Sequence, residues 1–309
     1  MRDGMTEHHR DDTVTPAYWD REVDVRLEIE SGDVVVVECA EPIGQVTPTG
    51  TDDDFARADP SLAHALSGAI YVKGARPGDT LEIDILKMEH KGWGWSGLIP
   101  HFGLLADDFD SAHLHHWELE GSICRFADGI EVPAEPFPGV IGVAPRESGR
   151  LDTFPPRSNG GNLDTRDLVA GSTAWLPIHA DGALFSIGDC HSAQGDGEVC
   201  GSGVESPMTA TIRLSVRRDL DVAEFQARRR TRPALSDSEV HITTAHGPDL
   251  YENARAATRY MIEWLVTNRG LEPADAYLLC STAANLRISE IVDAPNWLVS
   301  LHFPLDIFR

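Results

Sequence analysis

Glycine and proline interrupt the first 218 residues of this chain so often that no long helix fits there. No segment of this part keeps a 3.6-residue apolar period over three turns. Short segments alternate between apolar and polar residues instead, as Leu81, Ile83 and Ile85 do within 80–88. This alternation predicts half-buried strands joined by turns. We therefore expect a mainly β protein, with a body of many short strands over 18–218 behind a flexible, polar segment at 1–17.

The pattern changes after residue 218. Residues 248–268 carry apolar side chains at helical spacing, and a proline at the start and Gly270 after the end suit the two ends of a helix. A second helix is predicted over 273–284 and a strand over 299–303. Residues 219–309 are thus expected to form a smaller α+β part that packs on the β-rich body. The predicted apolar stripe of the first helix is Leu250, Ala254, Ala257, Met261 and Leu265.

The charge balance restricts the partners. The chain has 26 Lys+Arg against 50 Asp+Glu, a formal net charge of −24. Nucleic acids and anionic membranes require a basic surface, and no apolar run approaches the ~20 residues of a membrane helix, so neither partner is expected. Five cysteines spread along the chain do not suggest a disulfide framework. The N-terminal residues lack the apolar core of a secretory signal, and we expect a cytoplasmic protein.

Chemical groups are concentrated in residues 188–198, GDCHSAQGDGE. Asp189 and His191 are two residues apart, so on a strand their side chains point to the same face. Gln194, Asp196 and Glu198 form another set with a spacing of two, beyond a predicted turn. Such a run can direct a histidine and several carboxylates at one point, which is the ligand set of a divalent metal with an open position. Zinc is the predicted metal, with calcium or magnesium as alternatives.

Other candidates lie upstream. Asn162 and Asp164 share the two-residue spacing and are predicted to orient metal or substrate. His64 precedes a predicted strand and is a further candidate ligand. A carboxylate that does not bind the metal can take a proton from water. Glu198 is the predicted general base, with Glu147 or Glu205 as alternatives.

Two other interpretations remain open. Cys190 beside His191 suggests a cysteine nucleophile, but neighbours on a strand point to opposite faces, so the pair is poorly placed for that chemistry. The chain is alternatively a non-catalytic β-rich protein that binds a metal or a small polar ligand. That alternative predicts bound metal without turnover.

Four stretches, in order along the chain, resemble the acetamidase/formamidase family. They are HALSGAIYVKGARPGDTLEIDI (64–85), GWGWSGLIPHFGLLADDF (92–109), PRESGRLDTFPPRSNGGNLDTRDLVAGSTAWLPI (145–178) and GALFSIGDCHSAQGDGEVCGSGVESPM (182–208).

The resemblance implies hydrolysis of short amides such as formamide or acetamide with release of ammonia, and extends to the opening of small lactams. It also implies sandwich-like and barrel-like β parts, a homo-oligomer and bound metal. His101 stands where the family commonly has a small residue, and we expect it to reshape the pocket. The predicted metal ligands are Asp189, His191, Asp164 and His64, and the predicted catalytic residues are Glu198, Asn162, Gln194 and His101.

Overall fold

The structure, a computed structural model, is built mainly from β-strands arranged in several sheets. The fold class predicted from the alternating segments is therefore confirmed. The structure describes residues 6–10, 17–103, 110–128, 130–198, 200–229, 239–271, 273, 276, 284–305 and 308.

The largest sheet has nine strands, and all its described pairs are antiparallel except the first. Its strands bury alternate residues, as the sequence pattern requires: Leu81, Ile83 and Ile85 are completely buried. In spatial order the strands are β1 (Glu7–Arg10), β4 (Val34–Cys39), β16 (Met208–Arg217), β6 (Thr80–His90), β14 (Thr173–Pro177), β17 (Gln226–Arg229), β18 (Val240–Gly247), β20 (Trp297–Pro304) and β19 (Asn285–Glu290).

Smaller sheets complete the β body. The five-stranded sheet is β13 (Gly160–Asn162), β11 (Phe137–Gly142), β15 (Phe185–His191), β5 (Ser67–Val72) and β3 (Leu27–Ile29). The four-stranded sheet is β10 (Ile130–Pro133), β9 (Ile123–Ala127), β8 (His113–Glu120) and β7 (Trp93–Leu98), and β2 (Tyr18–Trp19) pairs with β12 (Leu151–Asp152).

The main core lies between the nine-stranded and the five-stranded sheets. Val35 of β4 and Ile212 of β16 share one buried cluster with Ile70 of β5, Phe137 of β11 and Phe185 of β15. Burial of apolar surface from both sheets is the arrangement of a β-sandwich. Strand β15, which carries the candidate site, is buried along its whole length.

The C-terminal part extends the largest sheet and adds one long helix. Strands β17, β18, β20 and β19 continue the sheet beyond β14, and helix α2 (Leu250–Arg269) packs on β18 and β20. Asp249 caps its first turn and Gly270 ends it at φ 66°, a conformation that glycine adopts readily. Most of the second predicted helix, 273–284, lies outside the described residues. Among the described helices, none is long and apolar enough to cross a membrane.

Two segments differ from their predictions. Residues 44–60, predicted to be a loop, contain the short helix α1 (Asp52–Ala56). Thr51 and Asp54 form a reciprocal capping box there, and Phe55 packs on Trp95 with ring centroids 5.3 Å apart. Within the segment predicted to be flexible, residues 7–10 form β1, because edge strand β4 offers its unpaired backbone groups.

The contact between α2 and β18 makes the fold sensitive to acid. The His241 ring of β18 stacks on Trp264 of α2 with centroids 4.0 Å apart, and burial together with Arg228 and Arg269 lowers the pKa of His241 to about 3. Below about pH 6.5 the unfolded chain therefore binds a proton that the folded chain does not. Stability conferred by neutral His241 falls as the pH drops from about 6.5 towards 3, by about 2–3 kcal/mol at pH 4.5.

Replacing His241 by phenylalanine keeps a planar ring against Trp264 and removes the titrating group. We expect the loss of unfolding free energy between about pH 7 and pH 4.5 to be about 2–3 kcal/mol smaller in His241→Phe than in the wild type. Urea unfolding at both pH values measures it. His113→Phe, at an exposed histidine of β8, is the matched control. An identical pH dependence in wild type and His241→Phe would contradict this account.

Candidate active site

The end of β15 presents Asp189 and His191 on the same side, as their spacing predicts. His191 Nε2 lies 3.5 Å from Asp189 Oδ1, and both side chains are buried. Cys190 between them belongs to the main core. Its pKa is raised well above the usual value by a hydrogen bond with Cys39 and by burial, so this thiol is a poor nucleophile.

Hydrogen bonds fix the orientation and the tautomer of His191. Its Nδ1 lies 2.7 Å from Gln194 Oε1, and Gln194 Nε2 donates to the backbone oxygen of Asp164 at 3.1 Å. Because the Gln194 oxygen only accepts, Nδ1 must carry the proton in neutral His191. The lone pair is then on Nε2, which faces carboxylates and not donors. This is how a ligating histidine is held by its neighbours.

Three carboxylates surround His191 Nε2. Glu205 Oε2 is 3.0 Å away, Asp189 Oδ1 3.5 Å and Asp164 Oδ1 3.8 Å. Glu198 approaches the other nitrogen, with Oε1 3.9 Å from Nδ1. Two sets of ligand atoms lie close enough to hold one ion, one from Asp189, His191 and Glu205 and the other from Asp164, His191 and Glu198.

Among the described residues, several polar atoms of this cluster are buried without hydrogen-bond partners. They include both carboxylate oxygens of Asp164, Glu205 Oε2 and His191 Nε2. Buried polar atoms are rarely left in this state, and each costs free energy unless a partner is present. Gly139 leaves space for the carboxylates of Asp164 and Asp189, since a Cβ at this position would stand 2.5 Å from Asp164 Oδ1 and 2.9 Å from Asp189 Oδ2. The donor set therefore fits a divalent cation.

The shifted pKa values of the cluster also indicate that its carboxylates lack sufficient positive charge nearby. Burial, reinforced by neighbouring carboxylates, raises the pKa of Asp164, Glu198 and Glu205. Burial acts in the same direction on Asp189, but His64 and His191 outweigh it and lower its pKa. Burial alone would lower the pKa of His191, yet Glu205 and Asp189 raise it well above its usual value. Protons and a metal ion compete for such a site.

Four cavity-lining residues have backbone conformations that are unusual for residues other than glycine. His64, Asp164, Asp189 and Glu198 have φ values of 60°, 38°, 49° and 44°. Each such residue costs of order 1–3 kcal/mol and persists only where the surrounding structure enforces it. Their concentration around one cavity is typical of a functional site.

The cavity beside the cluster is small, about 70 Å³. Its apolar wall includes Ile43, Trp95 and Phe102, and its polar wall includes the cluster together with Asn162 and Asp293. The loop that carries Glu198 is held by the C-terminal part of the chain, because Gly197 N donates to the Ser289 oxygen of β19 at 3.0 Å.

The structure brings together all but one of the predicted site residues. His64 lines the cavity with Nε2 3.9 Å from Asp189 Oδ2, farther from the carboxylate than His191 is. His101 is exposed, and its neighbour Phe102 lines the cavity in its place. Glu147, one of the alternative bases, is exposed.

Sequence reasoning missed two members of the site. The sequence predicts Glu205 only as an alternative base, although its Oε2 is the carboxylate oxygen nearest to His191 Nε2 among the described contacts. The available signal for Glu205 as a site residue is its position in GVESPM, within one of the four stretches that resemble the family. Asp293 follows β19, far along the chain, and nothing in its local sequence marks it.

Known proteins resemble this chain along nearly its whole length. The profile of the acetamidase/formamidase family matches residues 3–151 and 146–309. The chain belongs to the acetamidase/formamidase family. Among family members of known structure, the acetamidase of Bacillus halodurans superposes with a TM-score of 0.88 at 30% identity, over 98% of both chains.

Two sequence relatives in the acetamidase/formamidase family carry activity names. The formamidase of Methylophilus methylotrophus is 27% identical over 94% of this chain and 88% of its own. The acetamidase of Mycolicibacterium smegmatis is 29% identical over 60% of this chain and 61% of its own. The resemblance noted from the four motifs is thus confirmed.

Proposed function

We propose that this chain hydrolyses the C–N bond of small linear amides such as formamide and acetamide, releasing ammonia, with the help of a divalent metal. The amidohydrolase class follows from family membership. The observation that supports metal assistance is the position of His191 Nε2 in a buried cluster of carboxylates, 3.0 Å from Glu205 Oε2 and 3.8 Å from Asp164 Oδ1.

His191, Asp189 and Glu205 would hold the metal, with Asp164 close by. One imidazole with carboxylates suits zinc, whereas calcium and magnesium prefer oxygen ligands alone. Zinc is therefore our first choice. When bound, such a metal supplies Lewis-acid polarisation of a carbonyl and lowers the pKa of water.

The chain's own residues supply the remaining chemistry. Glu198 lines the cavity, and burial together with Asp164 raises its pKa, which makes the carboxylate a stronger base than an exposed glutamate. Gln194 holds His191 in one orientation through Nδ1. The apolar wall, which includes Ile43, Trp95 and Phe102, excludes water from one side and limits the size of the substrate.

The test is an ammonia-release assay on the full chain with formamide and acetamide. We expect turnover that is lost after treatment with a chelator and restored most fully by zinc, with calcium and magnesium compared in parallel. Opening of 2-pyrrolidinone, followed by chromatography, measures lactam activity. Bound metal without turnover of any amide would instead support the non-catalytic binding protein.

The charge of −24 bears on the assembly. We propose a cytoplasmic homo-oligomer that is stabilised by salt, because added ions shorten the distance over which like-charged subunits repel each other. Light scattering from low to molar salt measures the subunit number. A monomer under all these conditions would contradict this proposal.

A further inference from the structure

The side-chain amide of Asn162 is held at one end only. Its Nδ2 donates to Asp293 Oδ2 at 2.5 Å. Its Oδ1 is shielded from water and has no hydrogen-bond partner among the described residues. Asn162 is 3% exposed and lines the cavity beside the His191 cluster. One end of a buried amide beside the cavity thus lacks a hydrogen-bond donor among the described residues.

Asp293 determines which end that is. Asp293 Oδ2 accepts the hydrogen bond from Asn162 Nδ2, so the NH₂ group faces Asp293 and the carbonyl oxygen points away from it. Burial and Glu290 raise the pKa of Asp293, and a protonated carboxyl still keeps an oxygen that accepts this hydrogen bond. Asp293 is itself fixed by its backbone, since its N–H donates to Glu290 Oε1 at 2.6 Å. The orientation of the Asn162 amide is therefore set before any ligand arrives.

A buried oxygen that only accepts requires a donor. The carbonyl oxygen of an amide substrate cannot serve, because it also only accepts, whereas the amide nitrogen carries N–H groups. We propose that Asn162 Oδ1 accepts a hydrogen bond from the substrate's amide N–H, and that Asp293 is a positioning residue that holds Asn162 for this contact. The site would select amides that carry an N–H over esters. This inference rests on the proposed function above.

The test compares acetamide with methyl acetate, an ester that has no N–H, at pH 8 on the zinc-loaded full chain. Methyl acetate is followed both as a substrate and as a competitive inhibitor of acetamide hydrolysis, so that its binding is measured in every variant. Asn162→Ala should lower kcat/KM for acetamide by about 10- to 100-fold, the scale of one lost buried hydrogen bond. The values for methyl acetate should change less than threefold or so.

A double-mutant cycle tests the positioning role. Asp293→Ala should lower the acetamide-to-ester selectivity by about tenfold, and the double variant should lose no more than Asn162→Ala, because Asp293 acts through Asn162. Asn253→Ala is the matched control. That asparagine is also buried, and its Nδ2 donates to the backbone oxygens of Gly247 and Trp297 away from the cavity. It should lose stability and keep its selectivity.

The outcomes separate the two proposals. Equal losses on both substrates, additive losses in the double variant, or loss of bound zinc in Asn162→Ala would overturn the inference alone. The loss of zinc would make Asn162 a metal ligand. A wild-type protein that hydrolyses neither substrate would overturn the proposed function and this inference with it.

Discussion

Replacing His191 by alanine is expected to abolish metal binding and to lower kcat for acetamide by at least ~100-fold, the scale of a lost catalytic group. The substitution removes a proposed nitrogen ligand, the imidazole whose Nε2 lies within 3.8 Å of oxygens of Asp189, Asp164 and Glu205. Elemental analysis of the purified variant and ammonia release measure the two effects.

The control for this prediction is His246→Ala. His246 lies on β18 with Nδ1 2.9 Å from Glu224 Oε2, so its removal also breaks a histidine–carboxylate contact, but one outside the cavity. His246→Ala should keep its metal and its turnover. A His191→Ala protein with full metal content and full activity would rule out the metal role of His191.

Chelator treatment separates a site that requires a metal from a site that requires only a protonated histidine. Glu205 and Asp189 raise the pKa of His191, and Nε2 lies 3.0 Å from Glu205 Oε2, so a proton competes with a metal ion for this nitrogen. Metal binding must displace this proton, so the apparent metal affinity falls as the pH is lowered. A cluster that needed only the proton would keep its stability after treatment with a chelator.

Local patterns in the sequence were sufficient for the elements that obey them. The alternation within β6 and the helical spacing within α2 each correspond to a buried face, and Gly270 ends α2 as predicted. The missed elements depend on contacts that a local pattern does not contain. Helix α1 depends on a capping box and on Trp95, and β1 depends on the free edge of β4.

The residues of the candidate site also fall into two groups, those that a local pattern predicts and those that only the fold brings together. Asp189, His191 and Gln194 lie within six residues, so their spacing along the strand and the following turn brought them together in the prediction. Asn162 and Asp293 are separated by 131 residues, and only the fold joins them. The exposed position of His101 likewise results from its loop, where φ is 63°, and not from its residue type.

Positive φ values in the site limit what residue spacing alone can predict. The two-residue spacing rule assumes regular strand geometry, yet Asp189 lies in β15 with φ 49°. Its carboxylate still lies on the side of His191, because Gly139 leaves space for Asp189 and Asp164 together. The prediction of a shared face was therefore sound for this pair, although the backbone that produces it could not be foreseen from spacing.

The role of Glu198 leads to the second large effect. Glu198→Gln keeps the size of the side chain and one accepting oxygen but cannot take up a proton. We expect kcat to fall by about 10²- to 10⁴-fold, the usual contribution of general base catalysis, with little change in KM or metal content. Because burial and Asp164 raise the pKa of Glu198, wild-type activity should decline as the pH falls through that raised value, and this acidic limb should be absent in Glu198→Gln.

Two further glutamates provide the comparison. Glu147→Gln, at an exposed position, should leave turnover unchanged. Glu205→Gln should lose metal as well as activity, because Glu205 Oε2 lies 3.0 Å from His191 Nε2. The three variants therefore separate a base, a bystander and a ligand by metal content and rate together. Unchanged kcat in Glu198→Gln would exclude it as the base, and loss of its metal would place Glu198 among the ligands instead.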